Sequence, residues 1–220
     1  MRKHVIKPSI KRICIFGDSI AFGNNDAVFG GWQNHLKVHF AQAGQFQHVF
    51  NLAISGRDSK DILKRMENEV KARISTSAGK EGMLIMIAVP INDTRFIWDG
   101  DERLFAVPFD LFVENMKKLI LLSRSLAGKT VFVGMTRVIE EKTNPWSVVD
   151  NGVSWQNNII EKYNDFIKDF CAKESVPFVE MFNLLDDDDL PDGLHPSAQG
   201  HEKMFKHIKE FLGENEIIAL

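Results

Sequence analysis

The sequence predicts a three-layer α/β/α sandwich built around a central, mostly parallel sheet of five strands. Five apolar runs rich in β-branched residues recur along the chain, and each is followed by a longer segment with helical periodicity. This alternation is typical of parallel strands that are joined by right-handed crossover helices. The five predicted strands are Ile13 to Phe16, Val49 to Leu52, Met83 to Val89, Thr130 to Met135 and Pro177 to Glu180.

The segments between these strands carry apolar residues three and four positions apart, which predicts amphipathic helices. The pattern is clear from Val107 to Leu126 and again from Asp58 to Ile74. Ser154 is expected to cap a helix that bears apolar residues from Ile159 to Phe170. A last helix is expected from about Ser197 to Phe211.

Composition indicates one globular domain spanning residues 1–220, because 44% of the residues are hydrophobic and 26% are charged. The net charge of -3 does not indicate the basic surface that a nucleic-acid-binding protein needs, so nucleic acid is not an expected partner. Apolar runs such as Met83 to Val89 are too short to span a bilayer, and Lys3 to Lys11 lacks the apolar stretch of a signal peptide. A cytoplasmic protein is therefore expected. Cys14 and Cys171 are too few for a disulfide framework or a thiolate metal site, and both are expected to be buried and inert.

Four short polar stretches, far apart in sequence, are predicted to lie at one edge of the sheet. They are Gly17-Asp18-Ser19, Asn51 to Gly56, Asn92-Asp93, and Asp192 to His195. In open α/β sheets, ligands bind beyond the carboxyl ends of the strands. The four stretches are therefore expected to converge on one pocket.

These stretches hold the groups that acyl transfer requires: a nucleophilic hydroxyl, a base, a group that orients the base, and donors for an oxyanion. If His195 begins the last helix, the preceding segment can fold back so that the Asp192 carboxylate meets the ring Nδ1. The ring Nε2 then faces Ser19. Gly56 and Asn92 would add a backbone N–H and a side-chain amide to the N–H of Ser19. Each stretch alone is a weak signal, since glycine and small polar residues are common in turns.

Two other nucleophile motifs are absent around Ser19. The nucleophile elbow of α/β-hydrolases needs glycine two residues after the serine, where this chain has Ala21. The S-x-x-K arrangement of penicillin-binding enzymes needs lysine three residues after it, where Phe22 stands. Neither of these two classes is therefore favoured.

Two long connections, Ile91 to Ala106 and Thr136 to Gly152, exceed the usual loop length and are expected to wall or cover the pocket. Several aromatic residues are also expected to flank it, either as an acyl-binding surface or as ordinary packing. They are Phe22, Phe29, Trp32, Phe96 and Trp98.

No metal site is expected. His35 and His39 share a helical face, but without an evident third ligand they indicate an amphipathic helix. Asp186 to Asp189 lacks the spacing of a calcium-binding EF-hand loop and predicts a solvated acidic turn, whose field would disfavour anionic substrates at the mouth of the pocket. His201 and His207 are expected at the surface or boundary of the last helix.

Taken together and in this order, the four stretches resemble the signature blocks of the GDSL lipases and esterases, also called SGNH hydrolases. The resemblance spans nearly the whole chain and implies the flavodoxin-like fold of that family. It also implies that Ser19 is the nucleophile and one oxyanion donor, with Gly56 and Asn92 as the other donors. By the same resemblance His195 is the base, Asp192 is its partner, and neither a metal nor an organic cofactor takes part.

One block departs from the family pattern. The third block usually reads Gly-x-Asn-Asp, whereas this chain has Pro90-Ile91-Asn92-Asp93. Proline fixes φ and cannot copy a glycine at positive φ, so the direction of Asn92 depends on the backbone there. In the second block Ser55 is a neighbouring small residue, but Gly56 permits the closest backbone approach.

The predicted function is that of a cytoplasmic serine esterase that works through an acyl-enzyme, on a short-acyl ester of a carbohydrate or small alcohol. Longer acyl chains, as in a lysophospholipase or thioesterase, are an alternative, although the sequence has no membrane-binding amphipathic segment with a basic face. A second alternative is a non-catalytic module that binds esters or glycans, with an oxyanion hole spoiled by Pro90. A third is transfer of the acyl group to an acceptor other than water.

Overall fold

The computed structural model describes residues 10–45, 47–74 and 79–218. These residues form seven strands and seven α-helices. The strands are β1 (Arg12–Phe16), β2 (His48–Asn51), β3 (Met83–Ala88), β4 (Phe96–Asp99), β5 (Glu102–Phe105), β6 (Lys129–Val133) and β7 (Phe178–Val179). The helices are α1 (Ser19–Phe22), α2 (Trp32–Gln42), α3 (Ser59–Lys71), α4 (Phe109–Leu126), α5 (Glu140–Thr143), α6 (Asn157–Lys173) and α7 (Ala198–Glu214).

Five strands make one parallel sheet in the order β2-β1-β3-β6-β7, which confirms the predicted fold class. The chain moves from β1 to one side for β2 and then crosses to the other side for β3, β6 and β7. The order of the strands therefore reverses between β1 and β3, where doubly wound folds bind their ligands. The paired residues Phe16 and Ile87 bring the carboxyl ends of these two strands together.

Helices cover the sheet in two groups. Helix α2 packs against α7, whereas α4 packs against both α3 and α6. Right-handed crossovers place the α2 connection on the face opposite the other three. Strands β1 and β3 are apolar almost throughout and are buried, as strands covered on both faces must be. The stripe predicted for α4 is also buried, with Phe112, Met116 and Leu119 fully covered.

The helix boundaries follow the sequence signals at two places and depart from them at a third. The Asp58 side chain accepts the N–H groups of Lys60 and Asp61 at the start of α3. The Ser197 side chain caps α7, in agreement with the predicted start of the last helix at about this residue. The prediction that Ser154 caps α6 is wrong, because α6 begins at Asn157 and the Ser154 backbone instead pairs with Phe96. That long-range pairing keeps residue 154 extended.

The first long connection contains an antiparallel hairpin that the sequence analysis did not predict. Strands β4 and β5 form a two-stranded sheet that is separate from the main sheet among the described residues, and Phe96 of β4 also bridges to Ser154. Gly100 has φ of 60° at the turn, a conformation in which glycine carries no Cβ penalty. The hairpin is short, so its alternation is hard to distinguish from a loop in sequence.

Two remaining predictions concern the thiols and membrane spans. Cys14 and Cys171 are both buried, and burial raises the pKa of each thiol to about 12. The prediction of inert thiols is therefore consistent with their surroundings.

Within the described ranges no helix has the length and apolar character needed to cross a bilayer. Most of the stretch Lys3 to Lys11 lies outside the described residues.

Candidate active site

Ser19 lies at the first position of α1, directly beyond the carboxyl end of β1. The turn into this helix depends on Gly17. A Cβ on Gly17 would lie 2.6 Å from the Cβ of Ala21 and 3.1 Å from that of Ala88 on β3. Only glycine therefore lets the turn sit this close to the neighbouring strand. The same turn also contacts the Asn51 to Gly56 stretch, because the N–H of Ile54 donates to the Gly17 carbonyl at 3.1 Å.

Ser19, His195 and Asp192 form one continuous hydrogen-bonded chain. The Ser19 Oγ lies 2.8 Å from the His195 Nε2. The His195 Nδ1 lies 2.8 Å from the Asp192 Oδ2. The other carboxylate oxygen, Oδ1, accepts the backbone N–H groups of His195 at 2.7 Å and Leu194 at 2.9 Å. The structure thus brings together three residues that are up to 176 positions apart in sequence.

The Asp192 to His195 segment is a tight turn that precedes the last helix. The helix itself, α7, begins at Ala198, close to the predicted start at about Ser197. Gly193 has φ of 83°, and a Cβ there would lie 2.6 Å from the Cβ of Lys142. The Gly193 carbonyl accepts the N–H of Ile139 at 2.8 Å. The connection after β6 therefore holds the turn in place.

Two side chains that the sequence analysis missed support the same turn. Trp146 donates its Nε1–H to the Asp192 carbonyl at 3.2 Å, and its ring meets the His195 ring at a centroid distance of 5.5 Å. Asn25 donates to the Asp192 Oδ2 at 3.2 Å. The sequence marks Trp146 only as part of a long connection. No spacing rule relates it or Asn25 to residue 192, because both contacts are long-range.

The charge state of Asp192 determines which nitrogen of the His195 ring carries the proton. Burial opposes ionisation of this carboxyl, but the hydrogen bonds from the His195 ring, the His195 N–H and the Leu194 N–H outweigh it and lower the pKa to about 2. An ionised carboxylate accepts hydrogen bonds and cannot donate them. The proton between the two residues therefore sits on Nδ1, which leaves Nε2 free to accept from Ser19.

Ser19, Gly56, Asn92 and His195 line one cavity of about 340 Å³. In the described part of the chain, the N–H groups of Ser19 and Gly56 have no hydrogen-bond acceptor. Gly56 has φ of 76°, which a glycine adopts without strain. Two unoccupied backbone donors beside a serine hydroxyl are an arrangement that can stabilise an oxyanion.

Asn92 reaches the same cavity, but both hydrogens of its amide have partners. Its Nδ2 donates to the Arg57 carbonyl at 3.1 Å and to the Asp18 Oδ2 at 3.3 Å. Asp18 is fully buried, and this burial raises the pKa of its carboxyl. An oxyanion would have to share or replace the longer of these two hydrogen bonds.

Pro90 does not prevent this placement of Asn92. It has φ of -66°, within the ordinary range of proline, and it precedes a single 3-10 turn over Ile91–Thr94. The Pro90 carbonyl accepts the N–H of Asp93 at 3.1 Å, so the turn uses no donor that proline lacks. The backbone here requires no glycine.

The wall of the cavity comes from the second long connection and the residues after it. Trp146, Val149, Val153 and Trp155 supply its apolar surface. This confirms that the second connection walls the pocket. The aromatic residues that were expected around the pocket, Phe22, Phe29, Trp32, Phe96 and Trp98, do not line it. The alternative that they bind an acyl chain in this pocket is therefore wrong, whereas Trp32 and Phe96 are buried in ordinary packing.

Four other histidines of the described residues have structural contacts. The expectation that His201 lies at the surface or boundary is wrong, because it is fully buried and its ring bridges the Asn24 carbonyl at 3.0 Å and the Trp32 N–H at 3.4 Å. His35 and His39 both pack against the ring of Phe205. His207 bonds the Glu180 carbonyl at 2.9 Å. In the ranges that the structure covers, no three His, Cys, Asp or Glu side chains are grouped to hold a metal ion.

Asp93, the second acidic residue of the third block, is a buried structural group. Its Oδ1 accepts the N–H and the Oγ–H of Ser59 at 3.1 Å and 2.9 Å. Burial is the largest cause of a pKa raised to about 8, and the nearby carboxylates of Asp58 and Asp18 act in the same direction. Asp93 therefore carries a proton at neutral pH.

We expect this proton to make stability depend on pH. Between the ordinary value of 3.8 and about 8 the folded protein keeps a proton that the unfolded chain releases, so stability falls as pH rises. Each pH unit in that window costs up to about 1.4 kcal/mol. Asp93→Asn keeps an acceptor for Ser59 and does not titrate. Its free energy of unfolding in urea should therefore rise, relative to wild type, from acidic to mildly alkaline pH.

The control for this experiment is Asp188→Asn, since Asp188 is exposed. That variant should keep the pH slope of the wild-type protein. Equal slopes for wild type and Asp93→Asn would show that Asp93 is ionised in the fold and would contradict the prediction.

The fold and this arrangement of side chains indicate a carboxylic ester hydrolase. Comparison with known proteins agrees with this class. Residues 15–203 match the GDSL-like Lipase/Acylhydrolase family. The chain belongs to this family, which confirms the resemblance drawn from its four blocks.

A curated relative, a multidomain esterase from Ruminococcus flavefaciens, is 26% identical over 235 residues and matches 90% of this chain. The chain spans only 28% of the length of that relative. The fold is similar to Axe2, an acetylxylan esterase from Geobacillus stearothermophilus, with a TM-score of 0.69 and 18% identity over 94% of this chain and 97% of that one. It is also similar to LAE5, an alpha/beta hydrolase enzyme from the metagenome of Lake Arreo, Spain, with a TM-score of 0.68 and 15% identity over 93% of this chain and 96% of that one.

Structures of Axe2 described as catalytic mutants replace a serine, an aspartate and a histidine. In Axe2 the aspartate and the histidine are three positions apart.

Proposed function

We propose that this protein is a serine esterase that cleaves a carboxylic ester through an acyl-enzyme formed on Ser19. The observation that carries the proposal is the chain of two 2.8 Å contacts from the Asp192 carboxylate through the His195 ring to the Ser19 hydroxyl. This chain opens on a cavity that also contains unoccupied N–H donors. The Asp-x-x-His spacing of Axe2, which is also that of Asp192 and His195, supports the same assignment.

In the first half of the reaction the Ser19 Oγ attacks the ester carbonyl while the His195 Nε2 takes its proton. The carbonyl oxygen becomes an oxyanion, which accepts hydrogen bonds from the N–H groups of Ser19 and Gly56 and from the Asn92 amide. The protonated His195 then gives its proton to the departing alcohol. The product of this half is an acyl group esterified to Ser19.

In the second half a water molecule takes the place of the alcohol. His195 accepts a proton from this water, which attacks the acyl carbonyl. The second oxyanion formed in this way accepts hydrogen bonds from the same donors as the first. Collapse of this intermediate releases the acid and returns the proton to Ser19. Asp192 remains ionised throughout and stabilises the imidazolium in both halves.

The proposed substrate is a short-acyl ester of a carbohydrate or a small alcohol. The cavity of about 340 Å³ must hold part of the alcohol as well as the acyl group, which leaves little room for a long chain. Asn24, Ser55 and Asn151 also line it and offer hydrogen-bond partners for hydroxyl groups. The acetylated xylan substrate named for Axe2 agrees with this chemistry.

A panel of esters tests the proposal. We expect kcat/KM to be highest for p-nitrophenyl acetate and to fall by about tenfold or more at the octanoyl ester. Even one methylene that the pocket does not accommodate can lower kcat/KM by about this factor. Acetylated xylooligosaccharides should release acetate. The Ser19→Ala protein serves as the blank.

Each alternative function predicts a different result in the same panel. A kcat/KM that rises with chain length would support a long-chain acylhydrolase. Well-folded protein that hydrolyses no ester would support a non-catalytic binding module. Formation of a new ester when a competing alcohol is added would support acyl transfer, because the acyl-enzyme would then be intercepted before water.

A further inference from the structure

Arg95 is a cation at the edge of the proposed active site. It directly follows the 3-10 turn that carries Asn92, and it lines both the catalytic cavity and a neighbouring apolar cavity of about 210 Å³. Its Nη1 donates to the Gly56 carbonyl at 3.3 Å. Across residues 10–45, 47–74 and 79–218 no carboxylate lies within the 4.0 Å that defines an ion pair with this guanidinium.

Nothing else that lines the catalytic cavity offsets this positive charge. No carboxylate and no other Lys or Arg is among the lining residues. The acidic run Asp186 to Asp189, which was expected to disfavour anionic substrates, does not reach the cavity. Two of its carboxylates pair with Lys203 at 2.7 Å and 3.0 Å, and a third pairs with Arg137 at 2.7 Å. The run therefore does not line the cavity, and its effect on anionic substrates at the mouth stays a prediction.

A guanidinium has five N–H donors in a planar fork that matches a carboxylate. The Gly56 carbonyl occupies one donor of Arg95, so the others remain for a ligand. A partly covered cation that lacks a counter-charge loses hydration without compensation, and an anion in the cavity would supply that compensation. The backbone of Arg95 is fixed at both ends, since its carbonyl accepts the Ala106 N–H at 3.0 Å and its N–H donates to Asn92 at 3.4 Å.

We propose that Arg95 recognises a carboxylate carried by the ester substrate close to the scissile bond. This proposal rests on the proposed esterase function and narrows it to esters of acidic molecules. The carboxylate belongs either to the alcohol portion, as in an acylated acidic sugar, or to the acyl portion, as in the half-ester of a dicarboxylic acid. The chemistry of recognition is the same in both cases.

Two matched pairs of substrates distinguish these sources. In the first pair, para-acetoxybenzoate is compared with its neutral amide, para-acetoxybenzamide. In the second pair, monomethyl succinate is compared with methyl succinamate. For each pair the measured quantity is the ratio of kcat/KM for the anionic ester to kcat/KM for the neutral ester. Differences in chemical reactivity between the two esters cancel when this ratio is compared between protein variants.

We expect Arg95→Gln to lower the ratio by about tenfold or more in one of the two pairs, because a charge-assisted hydrogen bond contributes at least that factor. The pair that responds identifies the portion of the substrate that Arg95 contacts. Arg95→Lys keeps the charge without the fork and should lower the ratio less. The control is Arg103→Gln, which removes a cation that stacks on Phe96 and Trp98 outside the cavity and should leave both ratios unchanged.

The proposal is overturned if Arg95→Gln leaves both ratios unchanged. An equal loss for anionic and neutral esters would mean that Arg95 only holds the Gly56 carbonyl. If Arg95→Gln does not fold, inhibition of the wild-type protein gives the same test, with para-hydroxybenzoate compared with para-hydroxybenzamide and succinate compared with succinamate. Equal inhibition within both pairs overturns the proposal. Wild-type protein that hydrolyses the neutral esters, with ratios that Arg95→Gln does not change, overturns this proposal alone, whereas failure to hydrolyse any ester overturns the proposed function as well.

Discussion

Replacement of His195 by alanine is expected to lower kcat by about five to six orders of magnitude, the loss seen when the equivalent base is removed from a serine protease. The ring is the only group that the described residues place within hydrogen-bond distance of the Ser19 Oγ, at 2.8 Å. Without it the hydroxyl keeps its proton and is a weak nucleophile. Initial rates with p-nitrophenyl acetate measure the effect.

The matched control is His48→Ala, because His48 is exposed on β2 and contacts none of the site residues. This variant should keep the wild-type rate. Circular dichroism and thermal unfolding of His195→Ala separate loss of the base from loss of the fold. A folded His195→Ala protein with activity within about tenfold of wild type would contradict the assignment.

Asp192→Asn is expected to lower kcat by about four orders of magnitude while leaving the fold intact, as in the serine protease triad. The asparagine Oδ1 can still accept the N–H groups of Leu194 and His195, so the turn is kept. Its NH₂ group, however, would face the His195 Nδ1 and donate to it. The ring would then carry its proton on Nε2 and could not accept one from Ser19.

The pH dependence of this variant gives a further check. Because the Asp192 pKa is about 2, the wild-type carboxylate is ionised at every pH at which the protein would be assayed. The activity ratio of wild type to Asp192→Asn should therefore not change sharply near pH 4. The control is Asp188→Asn, which removes an exposed carboxylate and should keep full activity. An Asp192→Asn protein with wild-type kcat would show that the ring needs no carboxylate.

The sheet and the placement of the four blocks were predictable because both follow from local signals. Apolar runs define the strands, and the carboxyl ends of parallel strands share one edge. Ser19 after β1 and Asn92 after β3 are therefore neighbours in any doubly wound arrangement of these strands. Pro90 also proved compatible with the turn that places Asn92, because the backbone there has an ordinary proline φ.

The features that sequence reasoning missed depend on long-range contacts. Trp146 reaches Asp192 across 46 residues, and no periodic pattern encodes that approach. Serine is a common helix-capping residue, but the pairing of Ser154 with Phe96 overrides this local preference for a cap. His201 looks like a surface residue of an amphipathic helix until α7 packs on α2 and buries it.

Covalent trapping tests most directly whether Ser19 is the nucleophile. Diisopropyl fluorophosphate forms a phosphate ester with an activated serine and releases fluoride. Peptide mass spectrometry of the inactivated protein should locate one adduct on Ser19, in proportion to the activity lost, and Ser19→Ala should neither react nor hydrolyse esters. An adduct on another residue that accounts for the lost activity, or a Ser19→Ala protein that still turns over, would contradict the account.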